Sequence, residues 1–210
     1  MPLRLFISHA HEDKSVAAAL QQLISEVFPS GDSQSVKVDY SSDDAPTQGP
    51  AAGAEWLEWV LETVRVADVC VVLLSENSVD TPWLTWEAGA VTGAALSTVS
   101  PSTPGGGRVI PLLFGIPVDR IPAPLQSKRA VNGTEPVEMT RLLYRLHALS
   151  GSSAAFDDAA ARRSAGAFVD AVRSVVEASI LKRSPTFRFA PRVALHLVSF
   201  AGLVMEAGCG

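Results

Sequence analysis

Residues 69–74 read Val-Cys-Val-Val-Leu-Leu, six apolar side chains in unbroken succession with β-branched valine at three of the positions. A strand with one wet face alternates apolar and polar residues, so a run without alternation needs cover on both faces. That is the condition of a central strand in a parallel sheet. Three other segments read as strands: Leu3 to Ile7, ended by Ser8-His9; Val36 to Tyr40, which alternates; and Val109 to Phe114, again of the buried type. Helical spacing fills the intervals. Val16, Ala19, Leu20, Leu23, Ile24 and Val27 recur on one face, as do Trp56, Leu57, Val60, Leu61 and Val64. Thr81-Pro82 supplies an N-cap and a first-turn proline for a helix over Trp83 to Leu96, interrupted only by Gly89 and Gly93. Further helices are expected around Val137 to Leu149 and Ala159 to Leu181. Parallel strands need crossover connections, so this alternation predicts an α/β open parallel sheet with helices on both faces.

Composition narrows the functions such a sheet can serve. A chain of 210 residues suits one well-packed domain with a tail. With 19% charged residues and a net charge of −5, it offers no basic face for nucleic acid. Cys70 sits inside the apolar run and Cys209 is penultimate, which predicts a buried thiol and a terminal one, not a disulfide framework. The first seven residues pass directly into a polar segment, without the apolar core of a signal peptide, and a cytoplasmic location is expected. The apolar stretch Val193 to Met205 includes His196 and Ser199 and falls short of the roughly 20 residues a spanning helix requires. It is read as a packing or oligomer-contact segment, with no membrane span.

Open parallel sheets bind ligands beyond the carboxyl ends of their strands. Those ends are Ser8-His9, Tyr40-Ser41, Ser75-Glu76-Asn77 and Phe114-Gly115, and small polar residues at three of them suit a polar ligand. No GxGxxG follows the first strand and no GxxxxGK[ST] occurs, which disfavours a Rossmann dehydrogenase or a P-loop NTPase. His9 and His11 have no partners at metal-ligand spacing, so no metal site is indicated. Ser75 lacks a His and Asp in any recognisable nucleophile arrangement. Residues 41–54 form a long loop without periodicity.

Three segments, in this order and spacing, resemble the TIR (Toll/interleukin-1 receptor) domain family in its stand-alone prokaryotic, NAD-cleaving type. Phe6-Ile7-Ser8-His9-Ala10-His11-Glu12-Asp13-Lys14 is similar to the family's first box. Val71 to Ser78 resembles its central strand and Ser-containing exit, and Trp83-Leu84-Thr85-Trp86-Glu87 resembles the Trp-x-x-x-Glu helix that carries the catalytic Glu. Pro111 to Phe114 followed by Pro124-Leu125-Gln126 extends the likeness. The resemblance implies a flavodoxin-like sheet of about five strands in a core over residues 1–150. Residues 151–181 are then a C-terminal helix packing on that core, and 182–210 an apolar tail available as a helix or oligomer contact. It also implies Glu87 as the catalytic residue. The implied substrate contacts are Phe6, Ser8, His9 and Lys14 from the first box, Ser41 and Ser75 from the strand ends, and Trp83 four residues before Glu87. The acidic Asp43-Asp44 loop departs from the animal signalling pattern, and the family's third-box Phe-Trp has no close counterpart.

Nicotinamide leaves NAD⁺ as a neutral molecule, so its departure needs no general acid, and a single carboxylate near the ribose can stabilise the oxocarbenium-like transition state. Glycosidases need two carboxylates because their leaving oxygen must be protonated. The resemblance therefore implies an NAD⁺ nucleosidase or cyclase with NAD⁺ as substrate and no cofactor, acting in bacterial antiphage immunity. Its partners would be further copies through TIR–TIR contacts and an effector or sensor protein. A non-enzymatic TIR scaffold and a nucleoside deoxyribosyltransferase-like enzyme are the alternatives. The scaffold does not require Glu87, and the transferase would exchange bases on nucleosides while ignoring NAD⁺.

Overall fold

The computed structural model describes residues 3–29, 36–40, 58–59, 62–63, 66–80, 89, 93, 109–152 and 155–183. Five strands form one sheet: β1 (Leu3–Ser8), β2 (Val36–Tyr40), β3 (Val69–Ser75), β4 (Val109–Phe114) and β5 (Val131–Asn132). Every pairing is parallel, in the order β2-β1-β3-β4-β5, which is the flavodoxin-like arrangement expected. The chain leaves β1 towards β2 on one side and returns as β3 on the other, which makes β1/β3 the switch point, the place where open parallel sheets bind ligands beyond the carboxyl ends of their strands.

Side chains divide by pleat, as the unbroken apolar runs require. Leu5, Ile7, Val71, Leu73, Ile110, Leu112 and Phe114 join one cluster, whereas Phe6, Cys70, Val72, Leu74, Val109 and Leu113 join another across the sheet. The first cluster is closed by α1 (Lys14–Val27), α2 (Pro136–Ser150) and α3 (Asp158–Arg183). Val16, Leu20, Leu23 and Ile24 come from α1; Met139, Leu142, Leu143 and Leu146 from α2; Ala161, Ala165, Phe168, Val169 and Val172 from α3. Proline at the first position of α2 and Gly151 at φ 67° just past its end set that helix's limits. The second cluster is covered by Val79, Ile116, Ile121 and Leu125, with Trp59 and Ala67 packed against it.

Residues 58, 59, 62, 63 and 66 are helical, and the Ala67 N–H donates to the Thr63 carbonyl at 3.1 Å, where the Trp56 to Val64 helix was expected. Of the helix expected from Thr81-Pro82, Gly89 and Gly93 are described and are helical; the rest lies outside the described residues. So do the 41–54 loop and residues 184–210. The first helical pattern begins as a short 3₁₀ turn, His11–Asp13, before α1.

Candidate functional site

Ser8 and Ser75 end the two strands of the switch point, and Ser8 pairs in register with Val72. Both are buried, as is His9. The His9 Nδ1 lies 3.4 Å from the Ile7 carbonyl oxygen. Burial holds the imidazole below its ordinary value of 6.5, against the opposing influence of that carbonyl and of Asp13.

Beside them lies a polar network that the sequence reading did not anticipate. Asp13 occupies the N-cap position of α1, yet its carboxylate makes no capping bond and is only 3% exposed. It accepts instead from across the sheet edge. The Ser75 hydroxyl donates to both Asp13 oxygens, at 2.8 and 2.7 Å, and Asn77 Nδ2 donates to Oδ1 at 3.1 Å. The Ser75 Oγ in turn accepts from the Asn77 N–H at 3.0 Å, and the Ser75 N–H donates to Ser78 Oγ at 2.9 Å. A buried carboxylate is tolerable only with such partners.

The same loop is held from the β4 side. Arg120, in the 3₁₀ turn Val118–Arg120, donates from Nη1 to Glu76 and from Nη2 to Asp80, each at 2.7 Å. These two bonds hold its guanidinium above its ordinary range. A cavity of ≈ 10 Å³, room for one water, lies between the network and α3, where Asp13, Ser75 and Asn77 face Phe114, Val175 and Val176.

The expected site residues are distributed as follows. Ser8 and His9 lie at the carboxyl end of β1 and Ser75 at that of β3, three residues beyond the Val72 that pairs with Ser8, and Lys14 is the partly exposed first residue of α1. Phe6 serves the core: its ring is 1% exposed, within the second apolar cluster. Ser41, Trp83 and Glu87 lie outside the described residues. In the sequence Asp13 stands out only as one residue of the first-box segment Phe6 to Lys14. The signal that could have set it apart is the partner Ser75, which is 62 residues away.

A search of curated proteins finds no match. Among solved structures, the TIR domains of the activated Roq1 resistosome directly recognizing the pathogen effector XopQ are similar at 13% identity and a TM-score of 0.39, over 80% of this chain and 84% of that one. No described helix is long and apolar enough to cross a membrane. The sequence profile of the TIR domain matches residues 5–143, a span that holds β2 to β5, all of β1 but its first two residues, the Ser75 network and the Trp83 to Glu87 segment. This is well over half of the chain, which belongs to the TIR domain family.

Proposed function

We propose that the chain cleaves the nicotinamide–ribose bond of NAD⁺, releasing nicotinamide with ADP-ribose or a cyclic ADP-ribose-type product, with Glu87 as the catalytic carboxylate. The observation that carries this reading is Glu87 itself, four residues after Trp83, in the stretch that follows the β3 exit at the switch point. Scaffolding places no demand on a carboxylate there, whereas ribosyl transfer needs one negative group beside the developing cation and no proton donor for the leaving base. The polar ends of β1 and β3 suit a ligand rich in hydroxyl and phosphate oxygens. A further part of the proposal is that the enzyme works in the cytoplasm, in bacterial antiphage defence, as a homo-oligomer whose 41–54 loop reaches a neighbouring copy.

Purified protein incubated with NAD⁺, with products resolved by chromatography and mass spectrometry, tests the reading. Glu87→Gln keeps the shape and removes the charge, and is expected to lower nicotinamide release by on the order of 10³ or more. Wild-type turnover in a folded Glu87→Gln protein refutes the assignment. A folded wild-type protein that leaves NAD⁺ intact at every concentration favours the scaffold. Specific activity is expected to rise with protein concentration and to fall when residues 43–50 are shortened; concentration-independent activity in a monomer removes the loop from the mechanism.

A further inference from the structure

We infer that Asp13 is a positioning residue: held by Ser75 and Asn77 across the β1/β3 switch point, and opposed by the Arg120 bridge to Glu76 and Asp80, it fixes the path by which residues 76–80 lead into the Trp83–Glu87 segment. The role in catalysis rests on the NAD⁺ reading above; the clamp itself does not.

Asp13 stands where a side chain ordinarily caps its own helix, and it makes no such bond. Its carboxylate is spent on the β3 exit, taking the Ser75 hydroxyl and the Asn77 amide together. An apolar residue of similar size would fill this place without the cost of desolvating a charge, so what the carboxylate adds is a fixed geometry between α1 and the exit loop. Ser75 passes that geometry on, because its Oγ also receives the Asn77 N–H and its N–H is tied to Ser78. The first four residues of the exit are therefore referenced to Asp13.

Arg120 acts on the other side. Its two amino groups grip carboxylates four residues apart, at the two ends of the 76–80 stretch. One anchor is buried; the other is two ion pairs that salt screens, partly exposed at Glu76 and largely exposed at Asp80. A stretch pinned at both ends transmits its orientation to the chain that follows, and a displacement of about 1 Å at a reacting group costs roughly 10²-fold in rate.

The test compares Asp13→Asn, Asp13→Ala, Ser75→Ala and the double variant Asp13→Ala/Ser75→Ala, with Arg141→Gln on the exposed face of α2 as control. Nicotinamide release from NAD⁺ is measured, and hydrogen exchange is followed in the peptide covering 76–87. The expected result is a kcat lowered by roughly 10- to 100-fold with KM within about twofold of wild type. Asp13→Ala, Ser75→Ala and their combination should lose similar amounts, because all three break one unit. Asp13→Asn, whose Oδ1 still accepts from Ser75, should fall between. Exchange in 76–87 should quicken in each variant while peptides from α2 stay unchanged.

Folded Asp13→Ala and Ser75→Ala proteins with wild-type kcat overturn the positioning role, whether or not exchange has changed. Additive losses in the double variant do so as well. If Asp13→Ala fails to fold, Asp13→Asn and Ser75→Ala decide by the same criteria. Should the wild type release no nicotinamide, the NAD⁺ reading falls, and exchange alone judges the clamp: quickened exchange in 76–87 supports it and unchanged exchange overturns it.

Discussion

Gly133, directly after β5, donates its N–H to the Leu113 carbonyl at 2.8 Å, which brings its α-carbon against the Phe114 ring. A β-carbon added there would stand 2.5 Å from Phe114 Cε1 and Cζ and 3.0 Å from Cδ1. Carbon atoms rest about 3.5–4.0 Å apart, so Gly133→Ala forces the ring to retreat by about 1 Å or more. The ring is 2% exposed and meets Phe168 edge-on, with centroids 6.3 Å apart and planes at 66°. Overpacking of this kind costs about 1–3 kcal/mol. An opposing gain exists: among the described glycines only Gly115 and Gly151 have positive φ, so the backbone at 133 needs no glycine and alanine there reduces the freedom of the unfolded chain, a gain of about 0.4–1 kcal/mol. The clash outweighs the entropy, and a net loss of about 1–2 kcal/mol is expected. At about 2–4 °C per kcal/mol for a domain of this size, the melting temperature falls by roughly 2–8 °C. Urea unfolding should show a lower midpoint at unchanged slope. In a double-mutant cycle with Phe114→Leu, the combined loss should fall short of the sum by about 0.5 kcal/mol or more. Gly133→Ala with wild-type stability or better refutes the reasoning, and would mean that the ring moves freely into the small cavity beside Asp13.

Burial pushes the Cys70 thiol up to about 12, so almost none is thiolate at neutral pH, and alkylation of the Cys70 peptide in native buffer should proceed only through unfolding. Native labelling as fast as in denaturant would contradict this. His9 should titrate by NMR below 6.5, because burial disfavours its cation. Between that lowered value and 6.5 the unfolded chain binds a proton that native His9 refuses. Its contribution to stability is therefore complete above pH 6.5 and declines as pH drops below it; His9→Gln should flatten that part of the stability profile, and a midpoint at or above 6.5 sinks the argument.

The strands legible in the sequence are those whose burial leaves a mark on composition. Val69 to Leu74 and Val109 to Phe114 are apolar throughout because both faces of β3 and β4 are covered, one by α1, α2 and α3, the other by the second cluster. The fifth strand left no such mark. Val131–Asn132 is two residues long, neither fully buried, and exists because Leu112 and Leu113 of β4 offer it a register. A pattern of period two cannot be read from two positions. The limits of α2 were legible to within a residue or so, because Pro136 and Gly151 act locally, through a missing N–H and a left-handed conformation.

The site divides along the same line. Glu87 is proposed from the sequence alone, because it stands four residues after Trp83 in a segment that resembles the family's catalytic helix, and it lies outside the described residues. Asp13 is not legible in the sequence, because an acid in the first turn of a helix already has a sufficient local explanation in the helix dipole. Only the fold brings Ser75 to it. That contact also changes what Ser75 can offer: a hydroxyl has one proton, and here it is given to Asp13, while one lone pair receives the Asn77 N–H. A ligand at this edge would meet Ser75 as an acceptor, not as a donor. Ser75→Cys, which keeps a weak donor of similar shape, should therefore retain part of the ordering of residues 76–80, whereas Ser75→Ala loses it. A direct hydrogen bond from the Ser75 hydroxyl to substrate would show itself differently, as a raised KM with kcat and exchange in 76–87 unchanged.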